Sequence, residues 1–164
     1  MADGCALVFG GGRIGLMGIV ADRVVQLGGK AIGVIPGFLQ TQEIAHSELT
    51  ELRVVATMHE RKALMADLSD GFIALPGGYG TLEEFFEIVT WAQLGLHRKP
   101  CGLLNVRGYF DPLLRLVDQA VGEGFVRTEH RLLIIDDQDP EALMDRMLTY
   151  TAPETPQILH PDEI

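Results

Sequence analysis

Basic residues are scarce. Thirteen lysines and arginines stand against 23 aspartates and glutamates in 164 residues, a formal charge of −10. Nucleic-acid surfaces set clustered Lys and Arg against phosphate, so this balance argues against a nucleic-acid partner. Cysteine is scarcer still: Cys5 and Cys101 form no spaced pair that could hold a metal or define a disulfide framework. Both lie in apolar runs, which predicts two buried thiols of a cytoplasmic protein. His46, His59, His97, His130 and His160 are scattered with no pair at metal-ligand spacing, so no metal is expected and surface positions are the default. No apolar run approaches the ~20 residues that a membrane-spanning helix requires. Residues 1–4 have neither the basic start nor the apolar run of a secretory signal, so no membrane partner is expected.

What is present is apolar. Residues of that kind make up 47% of the chain, enough for one core, which predicts a single domain over residues 1–150. Past it, residues 151–164 carry three prolines and no helical period, the composition of a loosely packed tail. Short apolar runs predict strands at about Cys5–Phe9, Ala31–Ile35, Glu51–Ala56, Gly71–Leu75, Cys101–Asn105 and Leu132–Asp136. Amphipathic stretches between them predict helices over Gly15–Gln26, Met58–Leu68, Thr81–Gly95, Phe110–Val121 and Pro140–Leu148. Alternation of this kind indicates an α/β fold, a doubly wound parallel sheet with helices on both faces. No internal repeat is evident.

Ligands of such folds bind outside the carboxyl ends of the strands. One loop there is Pro76-Gly77-Gly78-Tyr79-Gly80-Thr81, entered from Phe72-Ile73-Ala74-Leu75 and followed at once by a helix. Glycines let a ligand approach the backbone, and the free N–H groups of the helix start carry partial positive charge. A phosphate group fits such a site, with the Thr81 hydroxyl as a further donor. A structural reading competes with it: Thr81-Leu82-Glu83-Glu84 has the pattern of a capping box. Three glycines before the box exceed what a tight turn needs, which favours the ligand reading. Like charge would keep the Glu84 carboxylate off the phosphate, but it could reach the adjoining sugar.

The cation for such a ligand is sought upstream. Helical spacing puts Arg61 on the apolar stripe of Met58, Leu64, Met65 and Leu68, so it either snorkels to water, forms an ion pair or meets an anionic ligand. Lys62 lies about 100° further round the helix and either shares that role or is solvated. A second glycine cluster, from Gly10 to Gly18, lacks the G-x-G-x-x-G spacing and a following acidic residue, so a full dinucleotide site is not expected. Gly15 and Gly18 are read as close helix packing. Phe86, Trp91 and Leu94 are read as core. Asp136, Asp137 and Asp139 lead into Pro140 at a helix start and are assigned no chemistry.

The run from Pro76 to Glu84 resembles the P-G-G-x-G-T-x-x-E signature of the Lonely Guy family of cytokinin riboside 5′-monophosphate phosphoribohydrolases. Gly10-Gly11-Gly12, Gly15-Leu16-Met17-Gly18, Met58-His59-Glu60-Arg61-Lys62 and Thr90-Trp91-Ala92-Gln93-Leu94-Gly95 are similar to the same family. The resemblance implies a Rossmann-like homodimer, free of metal and cofactor. It would hydrolyse N6-substituted adenosine monophosphates, and often AMP, to base and ribose 5-phosphate. Arg61 and Glu84 correspond to the catalytic pair. Gly77, Gly78, Tyr79, Gly80 and Thr81 would hold phosphate, with Glu43, Lys62 and Thr90 as substrate contacts and Met58 near the base. Relatives also carry the label lysine decarboxylase, but Lys30, Lys62 and Lys99 are the lysines available to a Schiff base, and none stands in a recognisable cofactor pocket. Family members ordinarily begin with a strand and helix ahead of the strand matching Leu7–Phe9. Against that pattern this sequence is expected to lack the first strand and helix, leaving strand edges and apolar helix faces uncovered.

Overall fold

Apolar runs of three to seven residues become parallel strands, and the amphipathic stretches between them become helices. The computed structural model describes residues 4–40 and 49–154, and these fall into two units divided after Ser69.

The first unit holds β1 (Ala6–Phe9), α1 (Gly15–Gln26), β2 (Lys30–Pro36), β3 (Glu51–Val55) and α2 (Met58–Leu68). Its sheet has the order β1-β2-β3, all parallel, with Ala6 opposite Lys30 and Ile32 opposite Glu51. β2 is central and buried from Ala31 to Pro36, as a parallel strand covered on both faces must be. α1 packs Ala21 and Val24 onto Phe9 and Ala31. It stops where predicted, with Gly28 at φ +74° and the Gly29 N–H bonded back to Val24 O at 2.8 Å. Ile14, Leu16, Ile19 and Leu27, on or beside this helix, remain exposed.

The second unit holds β4 (Phe72–Ala74), α3 (Tyr79–Gln93), β5 (Cys101–Leu104), α4 (Asp111–Gly122), α5 (Thr128–Arg131), β6 (Ile134–Asp137) and α6 (Pro140–Leu148). Its sheet, β4-β5-β6, is again parallel. Alternation along the strands sorts side chains onto two faces. Cys101, Leu103 and Ile134 join Phe85 and Val89 of α3 and Val117 of α4, whereas Ile135 joins Leu143 and Met147 of α6. Gly102 points the same way as Ile135, and a Cβ there would lie 2.8 Å from the Met147 sulfur, so glycine lets α6 approach the sheet. α6 starts at its expected cap, with Asp139 Oδ1 accepting from the Glu141 and Ala142 amides at 3.0 and 2.9 Å.

The fold is therefore α/β and Rossmann-like, as the sequence indicates, with a three-stranded parallel sheet in each unit. Other expectations need correction. Cys101 is buried, but Cys5 is exposed, because it stands just ahead of β1. Burial pushes the Cys101 thiol up to about 12. His130 is buried rather than superficial. His97 is half-buried: its ring lies 5.4 Å from that of Phe72 and its Nε2 is 2.9 Å from Ile88 O. Burial, the largest influence on it, holds its pKa below the usual histidine value. Phe86 is exposed and Trp91 and Leu94 are half-buried, since α3 turns Phe85, Val89 and Ala92 into the core instead. The turn at residues 106–108 and the four-residue α5 are not foreshadowed by any periodic pattern.

Candidate phosphate-binding site and other candidate residues

β4 ends at Ala74, and the chain passes through Leu75, Pro76 and Gly77 before α3 starts at Tyr79. Gly78 takes the N-cap position, at φ −95° and ψ −151°, with no side-chain cap. The capping box read at Thr81 and Glu84 is thus overturned: both lie inside the helix. Thr81 is its third residue, and its side chain fills the space that a Cβ on Gly77 would need. Gly77 is accordingly glycine to admit a protein side chain. Gly78 and Gly80 differ, because nothing described lies within 4 Å of where their Cβ atoms would be. The first amide to close the helix is Leu82 N–H, onto Gly78 O at 3.1 Å. Amides before it have no carbonyl within the helix to bond, so the exposed turn at Gly78, Tyr79 and Gly80 presents donors at the positive end of a 15-residue helix. That geometry suits an anion with several acceptor oxygens. Tyr79 is 94% exposed.

Glu84 is half-buried in the second turn of α3. Thr90 is exposed on the same helix, and its hydroxyl donates to Phe86 O at 2.7 Å. Six residues at about 100° each place it about 120° round the helix from Glu84, so the two do not share a face. Glu43 lies outside the described residues.

In the first unit, Arg61 occupies the opening turn of α2 and is 9% exposed. This excludes the snorkelling alternative. Its Nη1 donates to the half-buried Met58 sulfur at 3.8 Å, and Lys62 beside it is also half-buried. A Cβ on Gly10 would run into the Arg61 guanidinium and come within 3.3 Å of the Met17 sulfur. Gly10 therefore gives the arginine head its room. Its neighbours answer other needs: Gly11 has φ +76° against Ile35 and Leu52, and a Cβ on Gly18 would strike the Arg13 carbonyl. Gly18, a buried residue of α1, thereby admits the backbone of the loop ahead of its own helix. α2 is fixed at its start by Thr57, whose Oγ1 accepts from the Glu60 amide at 3.1 Å, while Glu60 Oε2 accepts from the Ala56 amide at 2.8 Å.

Residues 17–147 match the family model described as "Possible lysine decarboxylase". A "Probable cytokinin riboside 5′-monophosphate phosphoribohydrolase" of Oryza sativa subsp. japonica is 54% identical over 150 residues, covering 92% of this chain and 71% of that protein. A cytokinin riboside 5′-monophosphate phosphoribohydrolase of the same organism is 52% identical over 147 residues, 90% of this chain and 61% of its own. One of Arabidopsis thaliana is 53% identical over 145 residues, 88% of this chain and 67% of its own. The chain belongs to the Lonely Guy family. It spans between 61% and 71% of the lengths of these three relatives.

Two features of this Lonely Guy chain escape sequence reasoning. Gly10 as the space for Arg61 joins residues 51 positions apart, with no local signal beyond glycine itself. Tyr109, in the connection after β5, donates its hydroxyl to Gly77 O at 2.7 Å. It is 32 residues from its partner in a segment without a recognised motif.

Proposed function

We infer that the chain hydrolyses the N-glycosidic bond of N6-substituted adenosine 5′-monophosphates, and of AMP, to the free base and ribose 5-phosphate. The observation that carries this reading is the open backbone of Gly78 and Gly80 at the start of α3, inside a chain more than half identical to cytokinin riboside 5′-monophosphate phosphoribohydrolases. Gly77, Gly78, Tyr79, Gly80 and Thr81 form the phosphate loop. In the reaction a water oxygen bonds to C1′ as the C1′–N9 bond breaks, and one water proton ends on the departing base. Positive charge grows at C1′ on the way, and an ionised carboxylate stabilises it. Glu84 is assigned that position. Nucleophile, base toward water and anchor of ribose hydroxyls all demand its charged form. A guanidinium offers a planar fork of donors and no acceptor, so Arg61 is assigned to binding and orienting anionic oxygens rather than to moving protons. Lys62, Thr90 and Glu43 are assigned to substrate contact and Met58 to the base. The acting form is proposed to be a cytoplasmic homodimer, which sedimentation would show as twice the 18.0 kDa chain mass.

Glu84→Gln and Arg61→Ala test the assignment. Each should lower turnover of N6-isopentenyl-AMP by at least ~100-fold, the scale of a lost acid–base or charge-stabilising group, with the melting temperature little changed. Two variants as fast as the parent would remove both residues from the mechanism.

A further inference from the structure

The Gly77 carbonyl and the Gly78 N–H belong to one planar peptide unit, so whatever fixes the carbonyl also fixes the amide. Glycine stands on both sides of that unit, and neither residue has a Cβ to restrict its rotation. The Tyr109 hydroxyl fixes that carbonyl, donating to Gly77 O at 2.7 Å. A carbonyl that accepts a hydrogen bond polarises its peptide, which makes the N–H of the same unit a stronger donor.

Tyr109 is held firmly enough for this task. Its ring meets Phe110 edge-on with centroids 5.1 Å apart, and Phe110 is 1% exposed. The buried Asn105 side chain braces the same segment, its Oδ1 accepting from the Phe110 amide at 2.7 Å and its Nδ2 donating to Asp111 Oδ1 at 2.8 Å. Arg107 adopts φ +55° within this turn, a left-handed conformation uncommon for a residue with a side chain. Gly108 follows at φ +73°, and the Asp111 carboxylate occupies the space beside it. The connection after β5 is therefore a built support, and Tyr109 is the side chain it extends to the loop after β4.

We propose that Tyr109 is a positioning residue for phosphate, holding the Gly77–Gly78 peptide so that the Gly78 N–H faces the anion. The inference rests on the phosphate site of the proposed function, but its test does not require turnover. Ribose 5-phosphate and inorganic phosphate are titrated by calorimetry into the full chain and into Tyr109→Phe, which keeps the ring on Phe110 and removes only the donor. Ribose 5-phosphate affinity should fall about 5-fold or more, the share carried by a hydrogen bond of ~1 kcal/mol. KM for the nucleotide should rise by the same factor while kcat stays within about 2-fold, the pattern of lost uniform binding. Unchanged ribose 5-phosphate affinity in Tyr109→Phe overturns the inference, whether or not the melting temperature falls. Failure of the parent chain to bind phosphate overturns it as well. A parent that binds ribose 5-phosphate, loses that affinity in Tyr109→Phe and yet cleaves no nucleotide leaves the inference standing and removes the hydrolase reading.

Discussion

At the residue scale, Arg61 and Gly10 are one feature. A buried guanidinium is costly unless its surroundings are arranged for it, and here a missing side chain provides the room. Gly10→Ala places a methyl group where the guanidinium lies, so Arg61 must move. A displacement of about 1 Å in a group that orients substrate costs up to ~100-fold in rate, and Gly10→Ala should lose about 10- to 100-fold in turnover. Gly18→Ala is the contrast, because its Cβ meets the Arg13 backbone and its cost should fall on stability first. Steady-state rates set beside thermal melts separate the two; full activity in Gly10→Ala would detach the glycine from the arginine. Sequence pattern alone marks Arg61 as misplaced on an apolar stripe, which burial bears out. It does not reveal why Gly10 is glycine, because that reason lies in a contact made only after folding.

At the element scale, of the two T-x-x-E patterns Thr57 to Glu60 and Thr81 to Glu84 that lie between a strand and a helix, only the first starts its helix. The difference lies in what precedes each. Thr57 follows β3 with extended backbone at φ −131°, so its side chain can turn onto the Glu60 amide. Before Thr81 stand Gly78, Tyr79 and Gly80, and α3 already begins there, with a glycine cap that leaves the amides open. The glycine loop is thus legible as a loop and a helix start, while the local pattern misplaces that start by two residues. Strands and long helices were legible because burial imposes their periods. The four-residue α5 and the turn carrying Tyr109 were not, since neither is long enough to show one. Thr57→Ala should cost about 1 kcal/mol in urea unfolding, the usual worth of such a cap, whereas Thr81→Ala should show no capping loss. Equal losses at both positions would contradict the assignment of helix starts.

At the scale of the whole molecule, each unit is a parallel sheet with helices, and the glycine loop and Arg61 belong to different units. The proposed reaction joins their roles. The name of the matching family model suggests another chemistry, a decarboxylase acting on lysine. A chain that only binds nucleotide is a third outcome. Chromatography of the full chain incubated with N6-isopentenyl-AMP, with AMP, and with lysine plus pyridoxal phosphate separates these outcomes. The account predicts free base and ribose 5-phosphate in equal amounts from the nucleotides and no carbon dioxide from lysine. Nucleotide recovered unchanged after prolonged incubation, or carbon dioxide released from lysine, would contradict it.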